Sequence, residues 1–175
     1  FNNKKKLLKK KIFDTNNLEK INLSGKFKFL NLYRKKIDKI IFSSVVPTVF
    51  KNIKLSIKKK FKLNAKELKQ HNIKKVLKID VNMKQVGSDR LANAISVINN
   101  KDNFIILDFG TATTFDVLVK NTYYGGIIAP GVKLSLNTLS DKATLIPKIN
   151  LKKINKVVGN NTISAVRSGF FWGYA

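Results

Sequence analysis

The sequence predicts an α/β molecule of two lobes, and three observations carry that reading. An apolar run ending in an acid, FIILD, reads as a buried strand whose carboxylate emerges at a sheet edge into a Gly and Thr turn, from which a second strand, TTFDVL, leaves at once. A short apolar strand at Lys39 to Ser43 leads through a turn into a helix opened by Pro47, giving a strand-to-helix unit. The two halves also echo each other, each opening with strand, turn and strand before helix-linked elements. Duplicated units of three antiparallel strands plus helix-linked parallel strands imply two lobes with a cleft between them. Asp80 to Gly87 is the predicted boundary, giving lobes at 1–86 and 87–175.

Taken in order, residues 1–13 read as a strand, a basic turn and a second strand reaching Ile12 and Phe13. A hairpin that opens a chain this abruptly leaves an edge unpaired, so a preceding strand is expected. Asn16, Asn17 and Gly25 break the next stretch, and a short helix is expected after Ser24. Beyond Pro47, Phe50, Ile53, Ile57 and Phe61 recur on one helical face, and Lys58 to Lys60 complement the dipole at its end. Asn64 to Lys74 reads as a polar connector and Lys75 to Asp80 as a strand. A helix from Ser88 turns Leu91, Ile95 and Ile98 to a core. The central hairpin follows, with its turn at Lys120 to Thr122. In YYGGIIAPG, Gly125 and Gly126 suggest a bulge or close backbone approach, and Pro130 with Gly131 ends the strand. A helix carrying Leu134 and Leu139 comes next, then an irregular stretch from Asp141 to Val158. GNNT, Gly159 to Thr162, starts a last helix with Ile163, Val166 and Phe170 on one side.

A chain of 175 residues with 43% hydrophobic content can bury a core, which excludes a disordered chain. Without cysteine it has no disulfide, thiolate metal site or Cys nucleophile. No apolar run approaches membrane-spanning length and the first residues lack a signal-peptide core, so a soluble cytoplasmic protein without a membrane partner is expected. The net charge of +25 invites a polyanion. Yet Arg34, Arg90 and Arg167 are the only arginines among 35 basic residues, and Arg is the residue favoured for phosphate and base forks. The lysines are spread among Asn and Ile without a recognised binding motif. Solvated surface lysine is the preferred reading, and a nucleic-acid partner is not expected. His71 stands alone and reads as a loop residue.

Candidate chemistry collects in two places. Asp108 emerges into a turn where Gly110 admits an anion close to the backbone and Thr111, Thr113 and Thr114 supply hydroxyls and amides. That combination suits a phosphate cradle beside a cation-binding acid, and equally a hairpin with a tight acidic turn. Asp89 sits at a helix start after Gly87, where outward-pointing amides bind anions and an acid also complements the dipole.

Five segments together resemble one family, the type III pantothenate kinases of the sugar-kinase, chaperone and actin superfamily. They are SSVVP at Ser43 to Pro47, GSDRLANA at Gly87 to Ala94, DFGTATTFDVL at Asp108 to Leu118, GGIIAPG at Gly125 to Gly131, and GNNTISAVRSG at Gly159 to Gly169. The resemblance implies duplicated ribonuclease H-like, actin-like ATPase lobes with mixed sheets flanked by helices. It also implies an internal fragment, because the family opens with a DxGNT phosphate loop and ends in a Gly-rich nucleotide segment. Val81, Met83 and Arg167 depart from an aromatic residue, a Pro and a Gln common in the family.

The implied reaction is transfer of the ATP γ-phosphoryl to pantothenate, the first step of coenzyme A synthesis. By resemblance Asp89 is the proton acceptor, and Gly87, Ser88, Asp89, Arg90 and Thr162 contact pantothenate. Thr111 contacts ATP, and Asp108 holds a monovalent cation, K⁺ or NH₄⁺. Mg²⁺ is expected to arrive with ATP. For the Asn160 to Thr162 segment, the residues alone read equally as an ordinary helix cap. A homodimer is implied, and the chain alone is expected to be inactive without the N-terminal acid. The rivals are a non-catalytic homologue acting as a transcriptional accessory factor, a basic nucleic-acid-binding protein, and a related sugar kinase or actin-like ATPase.

Overall fold

The computed structural model describes residues 7, 9–10, 27–44 and 46–174. The hairpin expected over residues 1–13 and the breakers up to Gly25 lie outside the described residues. The chain divides into two compact units, one comprising residues up to Ile73 with Gly87–Ala92, the other Lys74–Val86 with Asn93–Ala175. Both mix strands and helices, so the fold is α/β, with parallel and antiparallel pairing.

In the described residues of the first unit a 3-10 helix, Lys28–Lys36, lies where a short helix is expected. Strand β1, Ile40–Phe42, leads into helix α1, Pro47–Phe61. Pro47 opens α1 because the missing N–H of a first-turn residue is no loss. Ile53, Ile57 and Phe61 recur at helical spacing and form the buried core, with Leu30, Ile40, Phe42, Val49 and Leu63 packed against it. The rings of Phe42 and Phe50 meet at 5.3 Å, tilted by 59°, which ties the strand to the first turn of the helix. Lys62 ends α1 in the left-handed region at φ 58°, its N–H donating to the Lys58 carbonyl.

The expected polar connector contains a strand. Residues Ala65–Glu67 form β2, parallel to β1, with Ile40 opposite Ala65 and Phe42 opposite Glu67. Three residues reading AKE carry no apolar period; only Ala65 is buried, and the ladder groups offered by β1 make them a strand. Two 3-10 turns follow, Leu68–Gln70 and Ile73–Lys75. Helix α2, Ser88–Val97, opens within this unit and buries Leu91.

The second unit is organised on a four-stranded sheet of β3 (Lys78–Ile79), β4 (Asn103–Phe109), β5 (Ala112–Val119) and β6 (Thr122–Pro130), in the order β3-β6-β5-β4. The strand expected from Lys75 to Asp80 is reduced to two residues, pairing parallel with β6. Strands β4, β5 and β6 form an antiparallel meander, and Lys120 makes the hairpin turn at φ 52°. Helices α3 (Val132–Lys142) and α4 (Thr162–Gly173) follow. Leu136 is the buried residue of α3, while Leu134 stays 45% exposed.

The glycines of β6 make a bulge. From Ala112↔Pro130 to Val117↔Gly125 the register is regular; it then shifts, so that Leu118 pairs with Tyr123 and Tyr124 is the extra residue. Gly125 supplies the required φ of 103°. Without the shift Tyr123 would oppose Val119 and point to the other face, because the side-chain period of a strand is two. With it, Tyr123 shares a face with Asp116 and donates its hydroxyl hydrogen to the carboxylate at 2.6 Å, with both residues 0% exposed.

Two outcomes test this packing. Ile57→Ala should lower unfolding free energy by about 2–4 kcal/mol in urea, through lost burial and the cavity left behind. Tyr123→Phe should cost about 1–3 kcal/mol by the same measurement, the range for removing the donor to a buried acceptor.

Candidate functional site

Residues Gly87–Ala92 form the opening of α2. The first helical bond runs from the Leu91 N–H to the Gly87 carbonyl at 3.2 Å. Asp89 lies in the first turn, exposed, and its carboxylate accepts the Arg90 N–H at 2.8 Å. A carboxylate here is favoured by the dipole and reaches solvent, so it can meet a hydroxyl brought to it. Arg90 is half-buried with one terminal guanidinium nitrogen enclosed. Ser88 is only 4% exposed, and its hydroxyl donates to the Glu67 carboxylate.

The second group is the turn between β4 and β5. Asp108 stands opposite Thr114 in the ladder and is exposed; its Oδ2 accepts from Asn93 Nδ2 of α2 at 3.0 Å. The turn is braced from behind. Gly110 donates to the Ala112 carbonyl and Gly131 to the Thr111 carbonyl, both at 2.9 Å. A Cβ on Gly131 would lie 2.2 Å from the Gly110 oxygen and 2.6 Å from the Thr111 oxygen, so this packing requires glycine at 131. At Gly110 the opposite holds. A Cβ there would meet nothing nearer than the Ala112 oxygen at 3.6 Å, so neighbouring atoms do not demand glycine and the backbone stays approachable. Thr111 is exposed, whereas the Thr113 and Thr114 hydroxyls are enclosed without a hydrogen bond among the described residues.

At the start of α4 the capping alternatives resolve onto Asn161. Its side chain accepts the Ser164 N–H at 2.9 Å, and the Ser164 hydroxyl accepts the Asn161 N–H at 3.1 Å, a reciprocal capping box. Thr162 is the first helical residue and exposed, so its hydroxyl is not committed to the cap. Gly159 is required by space, since a Cβ there would fall 2.2 Å from the Ala165 nitrogen.

Three contributors escape sequence reasoning. Asn93 lies in the quoted GSDRLANA segment, yet nothing in its spacing marks it as a partner of Asp108. Gly131 reads as a strand terminator, and its close approach to the turn is visible only in three dimensions. Glu67 sits in a stretch that reads as a connector. Among the described residues no group of three or more His, Cys, Asp or Glu is gathered for a metal, and no helix is long and apolar enough to cross a membrane.

Comparison with known proteins adds an independent line. Residues 2–175 match the family model described as type III pantothenate kinase. A Pelagibacter ubique protein named type III pantothenate kinase is 62% identical over 173 residues, covering 99% of this chain and 70% of that protein. Proteins of the same name from a Sulfurihydrogenibium species and from Dinoroseobacter shibae are 43% and 41% identical, over 88% and 79% of this chain. The chain spans 62% and 55% of those two relatives. A solved structure of a Campylobacter jejuni protein described as a Baf family transcriptional activator shares the fold, with a TM-score of 0.51 and 20% identity over 83% of this chain and 65% of that one.

The bracing of the turn gives a direct test. Gly131→Ala should displace the Gly110–Thr111 backbone and lower the melting temperature by several degrees, corresponding to about 1–3 kcal/mol of overpacking. Gly110→Ala should leave the melting temperature nearly unchanged.

Proposed function

The chain belongs to the type III pantothenate kinase family, and on that premise we propose that the protein it represents phosphorylates pantothenate with ATP, the first step of coenzyme A biosynthesis. The observation that carries the reading is the contrast between Gly110 in the β4–β5 turn and Gly131, which follows β6 and packs against that turn. Gly131 is held tightly against the Gly110 and Thr111 carbonyls, while Gly110 is open. A backbone fixed from behind and approachable from the front suits a phosphate group, because fixed amides stabilise charge without reorganising.

Phosphoryl transfer needs an in-line hydroxyl, a group to take its proton and donors to hold the phosphates. Asp89, exposed in the first turn of α2, is the proposed proton acceptor for the pantothenate primary hydroxyl. Gly87 and Ser88 shape the turn that presents it. Arg90 offers a planar fork for the pantothenate carboxylate, and the uncommitted Thr162 hydroxyl is a further contact. Thr111 holds ATP phosphates through its hydroxyl and amide.

Asp108 is the proposed ligand of a monovalent cation, K⁺ or NH₄⁺. The enclosed Thr114 hydroxyl directly across the ladder fits an oxygen-seeking ion. Such a cation and the Mg²⁺ that accompanies ATP would neutralise phosphate charge when bound. Two ribonuclease H-like lobes, 1–86 and 87–175, are assigned from sequence; the compact units are bounded differently, with Lys74–Val86 in the second and Gly87–Ala92 in the first. The protein acts in the cytoplasm as a homodimer. No observation favours the transcriptional or nucleic-acid reading, since a shared fold at 20% identity does not carry function.

The test is ATP-dependent phosphorylation of pantothenate by the full-length protein with Mg²⁺ and K⁺, alongside Asp89→Asn. Turnover that needs K⁺ and falls by about 10²–10⁴-fold in the variant is the expected result, the range for a general base. A folded full-length protein without turnover, yet binding polyanions with steep salt dependence, would overturn it.

A further inference from the structure

We propose that Glu67 is a positioning residue for the GSDR turn, fixing the start of α2 so that Asp89 is presented in one geometry. This rests on the reading of Asp89 as proton acceptor. The observation is a three-way anchorage of one half-buried glutamate. Its backbone pairs in the β1–β2 ladder opposite Phe42. Its own N–H donates to Gln70 Oε1 at 3.0 Å, and its Oε2 accepts the Lys69 N–H at 2.7 Å. These local bonds form a capping box that holds the Glu67 side chain. Its other oxygen, Oε1, accepts the hydroxyl hydrogen of Ser88, twenty-one residues further along the chain.

The chemistry gives that last bond its consequence. An ionised carboxylate only accepts, so the direction of the bond is fixed and Ser88 must donate. A charge-assisted bond is also stronger than a neutral one. Ser88 is the first residue of α2, following Gly87, and its hydroxyl hydrogen is committed to a residue of β2. Ser88 is 4% exposed and immediately precedes Asp89, so the contact is sheltered and one residue from the proposed base. Active groups are held best when supported from rigid elements, and Glu67 links the turn to the β1–α1–β2 unit.

The experiment uses full-length protein and compares Glu67→Ala, Glu67→Gln, Ser88→Ala and the double variant Glu67→Ala/Ser88→Ala, with Asp89→Asn in the same series. Turnover is measured per folded molecule, with ATP and pantothenate varied separately. Glu67→Ala and Ser88→Ala should each lower kcat about 10–100-fold, the scale of a small misplacement of a reacting group, with the KM for ATP unchanged. Glu67→Gln, whose amide oxygen can still accept from Ser88, should recover most of the loss. The double variant should be no slower than Ser88→Ala, because the two residues act through one bond. Ser88→Ala leaves the local Glu67 capping box intact and keeps the test open if Glu67→Ala does not fold. Unchanged kcat in Ser88→Ala, or additive losses in the double variant, would overturn the proposal while Asp89→Asn stays inactive. Full turnover by Asp89→Asn would instead overturn the base assignment and this proposal with it.

Discussion

A buried carboxylate in the middle of a sheet constrains the second unit more than any other group. Asp116 lies on β5 between two antiparallel neighbours and is 0% exposed, where an ionised group is costly unless it is hydrogen-bonded. Tyr123 supplies such a bond, and it does so only because the Gly125 bulge turns it to the face of Asp116. The regular register on the far side of the bulge then sets Pro130 opposite Ala112 and Gly131 against the Gly110–Thr111 turn. A one-residue slip would bring Pro130, which has no N–H, to the position where Gly131 donates to Thr111. The bulge, the buried pair and the braced turn are therefore one device.

The first unit solves a different problem. Among its described residues the two strands have three residues each, too few to be stable alone, and the ladder relies on the Ile53, Ile57 and Phe61 face of α1. The same short β2 ends in Glu67, whose carboxylate connects the ladder to the opening of α2. Structural economy and the placement of Asp89 meet at that residue. The lysines that dominate the composition take a lesser part: Lys58, Lys59 and Lys60 fall in the last turn of α1, where they complement its dipole.

Much of this was legible in the sequence. The Phe104 to Leu118 pair of strands, Pro47 at the start of α1, the glycine bulge in β6 and the GNNT helix start each rest on a local preference: apolar runs around a turn, a fixed φ, freedom at positive φ, a side-chain cap. The burial expected of Phe104 to Asp108 is not found, because β4 is, among the described residues, the edge strand of its sheet and leaves Ile105 68% and Leu107 49% exposed. Local preferences are written in consecutive residues, so periodicity and punctuation expose them. The family match was legible for the same reason, since it depends on short motifs in order.

What escaped depends on partners far along the chain. Ala65–Glu67 becomes a strand because β1 offers it a ladder, and no propensity in AKE announces that. The leucines of α3 do not by themselves say which is buried; packing against its neighbours selects Leu136. Gly131 is indispensable through a close approach to residues twenty positions earlier, and Glu67 matters through a hydroxyl twenty-one positions later. The sequence by itself determined the α/β class and the family, because these follow from residue type and local order. Only the tertiary structure decided which glycine is packed and which is open, and which acid holds the serine beside Asp89. Those are matters of distance between segments that the chain separates and folding brings together.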